Sequence, residues 1–205
     1  MKGLLLKDLY MTKAYCKSYL FITILFVVVS FASSENLFFI YYPCLLCGMI
    51  PVNLLGYDER SRWTQYCETM PYTKSQIVSG KYIIGLGTQV FVLIVIGISQ
   101  AIRMSINGTF VIGEYIVSMM LLLTMALIAS SITLPFIFKL GIEKGRMAYY
   151  IMIGIVCAGS IVSSKILTNM IRVDINLLPI TCVLGIVIYA FSWYMSIAFY
   201  KKREL

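Results

Sequence analysis

Six stretches of this chain, at 18–34, 36–57, 82–102, 115–138, 147–164 and 175–200, contain no Asp, Glu, Lys or Arg. A bilayer core of about 30 Å is crossed by about 20 apolar residues in helical form. The stretches are 17, 22, 21, 24, 18 and 26 residues long, so each meets or nearly meets that length. They are continuously apolar, as in FITILFVVVSF at 21–31 and YIVSMMLLLTMALIA at 115–129. A barrel strand would instead alternate over roughly ten residues. The expected architecture is an all-α integral membrane protein, a single transmembrane domain over 1–205 with six spans. Composition agrees: 60% of residues are hydrophobic and 13% charged, against about 25% charged in an ordinary soluble domain. A soluble fold of this size has no room to bury that much apolar surface.

The basic residues give the orientation. Lys2, Lys7, Lys13 and Lys17, then Arg60, Arg62, Lys74 and Lys81, then Lys139, Lys144, Arg146 and the cluster at 201–203 fall on one side, 14 in all, against Arg103, Lys165 and Arg172 on the other. Basic residues collect in the cytoplasm, so both termini are expected there. The net charge of +8 is then a topology signal, and nucleic acid is not an expected partner. Lysines precede the first run as in a secretory signal, but the run is long, lacks a small-residue cleavage site and leads straight into a second span.

Absences narrow the chemistry. The chain has no histidine, which removes the usual general base and the usual metal ligand. Cys44-x-x-Cys47 has metal or redox spacing but lies inside an apolar run without a second pair, so both read as packing residues. The spans lack the charged groups that ion-coupled pumps place near the midplane. No G-x-x-x-x-G-K-[ST] phosphate loop is present either. The chain is expected not to be an enzyme and to hold no cofactor; any ATP and Mg²⁺ would be bound by a separate subunit.

The long cytoplasmic loop at 58–81 reads DERSRWTQYCETMPYTKSQIVSGK. Trp63, Tyr66, Cys67 and Met70 stand at i, i+3, i+4 and i+7, one face of a helix. Glu59, Arg60 and Arg62 occupy the other side. Asp58 suits an N-cap, Pro71 stops the helix, and Thr73-x-x-Gln76 forms a capping box that opens the next one. Such a helix could rest on lipid or dock into a protein groove through its aromatic and Arg anchors.

The order Asp58-Glu59, Trp63, Tyr66, Pro71, Thr73-Lys74-x-Gln76-Ile77-Val78 and Lys81-Tyr82 resembles the second-loop pattern of bacterial ABC-2 type permeases, the membrane subunits of ATP-binding cassette exporters. The opening MKGLLLKDLYMTK is similar to that family's basic N-terminal segment. Within the family, the small size resembles permeases that export amphipathic cytolytic peptides of the phenol-soluble-modulin type. The resemblance implies that Asp58, Glu59, Arg60, Arg62, Trp63, Tyr66, Cys67 and Met70 form a coupling helix contacting a separate ATP-binding subunit. It gives Glu143, Lys144 and Arg146 a smaller second contact, and makes 1–17 an amphipathic connecting helix along the membrane. It also implies a second permease copy or paralogue, an amphipathic peptide cargo, and a bacterial cell membrane.

On the N-terminal segment Lys2, Lys13 and Lys17 share a face opposite Leu4, Met11 and Tyr15, while Leu6, Leu9 and Lys7 break the pattern. A basic tail on anionic headgroups fits it equally. Gln89, a lone amide within a span, is the candidate for lining a path, because such a group wants a partner or water. Gly85, Gly87 and Gly154-x-x-x-Ala158 are candidates for close helix contact. The external segment 165–179 is expected to dip back as a short amphipathic helix. A six-helix uptake module and a non-transporting immunity-type protein are the competing classes. A binding module would cluster polar groups near the external face and has no need of the capped aromatic loop.

Overall fold

Three of the charge-free runs supply the three longest helices among the described residues. The computed structural model describes residues 2–32, 38–108, 111–147, 150–151, 153–154 and 178–202, and every element among them is helical. In chain order these are α1 (Lys2–Tyr15), α2 (Lys17–Ala32), α3 (Phe38–Cys47), α4 (Ile50–Arg60), α5 (Trp63–Glu68), α6 (Lys74–Ile106), α7 (Ile112–Leu140), α8 (142–147) and α9 (Leu178–Lys202). Among the described residues α6, α7 and α9 are long and apolar enough to cross a bilayer, and α1 with α2 adds a fourth if the bent pair is one span. The fifth run at 147–164, most of the Gly154–Ala158 motif and the segment 165–179 lie largely outside the described residues.

The first run forms α2, and α1 meets it at 60°. The turn lies at Cys16. Its N–H still donates to Thr12 O at 2.9 Å, but its carbonyl accepts a tighter i+3 bond from Tyr19 N–H at 3.1 Å. The second run was expected as one span over 36–57 and is instead two helices. Pro51 has no N–H to continue the ladder, and its ring clashes with the carbonyl four residues back. The chain therefore closes α3 with i+3 bonds at Gly48 and Met49, each 3.0 Å, and restarts as α4 with the proline in its first turn.

Two apolar clusters hold the helices together. One joins Cys16, Cys44, Cys47, Ile50 and Leu54 to Ile84, Val92 and Ile96 of α6 and Leu122 of α7. Cys44 and Cys47 are packing residues of this cluster. The other joins Cys67 of α5 to Ile77, Val78 and Tyr82 of α6, Leu134 and Phe138 of α7, and Tyr189 and Tyr200 of α9. Where α6, α7 and α9 meet, the buried polar groups satisfy one another. Ser192 donates to Ser131 O at 2.7 Å, so the Tyr82 hydroxyl donates to Ser192 Oγ at 2.9 Å and accepts from Ser196 Oγ at 2.7 Å. Tyr189 donates to Tyr82 O at 3.0 Å and Trp193 Nε1 to Ser79 Oγ at 3.0 Å. Such interhelical bonds matter where lipid offers none. The opposite face of α9, with Ile180, Val183, Leu184, Val187 and Phe191, is exposed, as a lipid-facing surface requires.

Candidate functional site

The buried stripe of α1 is Leu4, Asp8 and Thr12. Their i, i+4, i+8 spacing is one face of a helix, and it brings a carboxylate into the protein. Leu6, Leu9, Tyr10 and Tyr15 point outward. The helix thus differs from the expected pattern of a basic face opposite an apolar one. Its inward stripe carries charge and much of its outer surface is apolar, which is why Leu6, Leu9 and Lys7 did not fit that pattern. Close approach of α1 to α6 is allowed at Gly80, where a Cβ would sit 3.2 Å from Leu4 Cδ2.

One turn further along α1, Asp8 meets Lys81, and here four charges close a ring. Lys81 Nζ lies 2.7 Å from Asp8 Oδ1 and 2.5 Å from Asp58 Oδ2. Lys7 Nζ lies 2.6 Å from Asp58 Oδ1 and 3.2 Å from Asp8 Oδ1. The side chains of Asp8, Lys81 and Asp58 are 0%, 1% and 4% exposed, and that of Lys7 22%. A buried ion costs several kcal/mol in lost hydration unless it is well paired. Alternating signs give each charge two opposite neighbours, and the ring is neutral overall. Lys7 also sits 4.2 Å over the centroid of the Trp63 ring, a cation–π contact.

The ring joins α1, the last turn of α4 and the first turns of α6, with α5 held through Trp63. Burial pushes the Cys67 thiol of α5 above its ordinary pKa, and Lys7 is the strongest opposing influence. A cavity of about 70 Å³ lies beside the ring, lined by Asp58, Trp63, Cys67, Lys81, Phe138 and Tyr200 among others.

The loop differs from its expected form in one respect. Asp58 does not cap a single helix over 58–70. It lies within α4, whose last residue is Arg60, because the ring holds its carboxylate inward. The break falls at Ser61 and Arg62, where Ser61 N–H caps Tyr57 O at 3.0 Å and Arg62 adopts φ 54°, in the left-handed region. A non-glycine residue there costs about 1–2 kcal/mol. The capping box at Thr73 and Gln76 is present in both directions, each bond 3.3 Å.

The surface of the loop presents Glu59, Arg60, Arg62 and Tyr66 as exposed side chains and Met70 as half-buried. Asp58 and Cys67 are buried and Trp63 is half-buried behind them. Glu143 and Lys144 are exposed on α8, whereas Arg146 turns inward and donates from Nη2 to Asn53 Oδ1 at 3.4 Å. Gln89 is buried between α6 and α7, its Nε2 donating to Ala126 O at 2.9 Å and Ser130 Oγ at 2.5 Å. It joins two helices rather than facing an open space within this chain. Sequence reasoning missed Lys7, Asp8 and Lys81 as site residues. A lone acid in a basic amphipathic stretch was the one available signal.

A family model described as ABC-2 family transporter protein matches residues 3–201 of the chain. No curated protein and no solved structure matches it.

Proposed function

The chain belongs to the ABC-2 family of transporter proteins, and from that premise we propose that it is the permease subunit of an ATP-driven exporter of amphipathic peptides of toxin or antimicrobial type. A separate subunit binds ATP with Mg²⁺ and hydrolyses it, and two permease copies or paralogues pair in the bacterial cell membrane. In this reading six helices span the bilayer and both termini are cytoplasmic. The ATPase rests against Glu59, Arg60, Arg62, Tyr66 and Met70, with Glu143 and Lys144 as a smaller contact.

The observation that carries this reading is the ionic ring directly beneath that surface. Force applied to α5 and the end of α4 reaches α6 and α1 through Asp58, Lys81, Asp8 and Lys7, because separating any two of these segments leaves a buried charge unpaired. Trp63 and Cys67 support the surface from behind, and Arg146 ties α8 to α4.

The test is co-expression of the tagged chain with an ABC ATP-binding subunit from the same genome, followed by ATP-dependent uptake of a fluorescent amphipathic peptide into inverted vesicles. Arg62→Glu with Tyr66→Ala should lower recovery of the ATPase at least tenfold, in line with hot-spot losses above about 1.4 kcal/mol. Lys81→Met should retain the ATPase but lose peptide uptake. Full recovery of the ATPase by the surface variant would refute the docking assignment, and wild-type vesicles that take up no peptide would refute the cargo.

A further inference from the structure

The elbow between α1 and α2 faces the N-terminal half of α6 across a groove of about 780 Å³. One wall is α6, where Ile83, Gly87 and Phe91 stand at i, i+4, i+8, about 12 Å of one helix face. Leu5 and Leu9 of α1 form the facing wall. Ile83, Phe91 and Leu9 are 39%, 55% and 56% exposed, so this apolar surface is uncovered. At Gly87 an added Cβ would meet nothing within 4 Å, which leaves the groove open at its middle.

The groove also carries charge at the elbow. Lys13 and Lys17, one on each side of the elbow, line it. Both side chains are exposed and neither enters an ion pair among the described residues. The other nearby cation, Lys7, is used by the ring. An occupant must therefore be apolar where it meets α6 and anionic where it meets the elbow.

Taking the cytoplasmic termini of the proposed function, we propose that this groove binds one anionic phospholipid of the inner leaflet, its phosphate between Lys13 and Lys17 and an acyl chain along Ile83, Gly87 and Phe91. The site lies beside the ionic ring on the same helices but uses none of its four residues. It therefore stands or falls apart from the assignment of the transporter's cargo and ATPase.

Native mass spectrometry of the full chain in detergent tests it, with phosphatidylglycerol and phosphatidylcholine of identical chains supplied in equal amounts. A lysine near an anionic headgroup is worth a factor of about five in affinity, so two give a preference for phosphatidylglycerol of about 25-fold. Lys13→Gln with Lys17→Gln, both at exposed positions, should bring the two lipids to parity. Gly87→Phe should fill the groove and lower retention of both. Equal retention of the two lipids by the wild type would overturn the proposal, as would a preference that survives the double lysine variant. So would unchanged retention in Gly87→Phe. Efficient disulfide cross-linking between copies carrying Leu9→Cys or Phe91→Cys in native membranes would assign the groove to a second copy instead.

Discussion

Replacing Lys81 by Met tests whether the ionic ring bears load. Lys81 makes the contacts at 2.7 and 2.5 Å. Without it both carboxylates depend on Lys7 alone, at 3.2 Å from Asp8 and 2.6 Å from Asp58. Three charges then remain in a site that holds four, with one negative charge in excess. At an effective dielectric of about 20, an opposite charge at 2.7 Å is worth on the order of 6 kcal/mol before hydration is returned. After that offset, removing one partner of a buried pair costs roughly 3–5 kcal/mol. For a chain of this length that is a fall in Tm of about 6–20 °C at 2–4 °C per kcal/mol. Lys7→Met should cost less, about 1–2 kcal/mol, because its side chain is 22% exposed and water can reach the vacated position. Asp8→Asn added to Lys81→Met removes one charge of each sign and leaves the Lys7–Asp58 pair intact. The double variant should recover at least about 2 kcal/mol relative to the sum of the singles. The assay is equilibrium unfolding of the full chain in detergent, read by the fluorescence of Trp63 and Trp193. A cost below about 1 kcal/mol for Lys81→Met, or strict additivity in the double variant, would refute the ring as a structural device.

Two further outcomes follow from the packing. Tyr82→Phe removes the hydroxyl that bonds to Ser192 and Ser196 while leaving the Tyr189 bond to its backbone; the same unfolding assay should show a loss of about 1–2 kcal/mol. Burial raises the Cys67 thiol pKa, so above the ordinary thiol value the unfolded chain releases this proton before the folded one does. Stability is then present below that value and falls as pH rises through it, and Cys67→Ala should flatten that alkaline decline in melting temperature.

Much of the scaffold was legible in the sequence. The charge-free runs 82–102 and 115–138 lie within α6 and α7, and residues 178–200 of the last run lie within α9, because nothing but burial in lipid or protein suits such runs. The capping box was legible for the same local reason: both its bonds form between residues three apart. The ring was not legible. Lys7 and Asp58 are 51 residues apart in sequence, and Asp8 and Lys81 are 73. Each alone reads as a solvated charge at the edge of a span. Only the close approach of α1 at Gly80 reveals that they neutralise one another. The end of α4 was misplaced for a related reason. Asp58-Glu59-Arg60 looks like the start of a polar loop, yet the helix continues because one of the three is drawn inward. The break at Arg62 carries no glycine to announce it.

The length of α6 has a mechanical consequence. Lys81 anchors it near one end, and near the other Arg103 Nη1 donates to Ser30 O of α2 at 3.3 Å. The 22 residue steps between them make a rod of about 33 Å, and it contains no proline. The helix runs unbroken between the two anchors. Tilting it by about 5° at the ionic ring would swing the Arg103 end by about 3 Å over that length. That is enough to break the hydrogen bond to α2. The same helix would then act as a lever, with its short arm among the charges of α1 and α4 and its long arm reaching the far membrane surface.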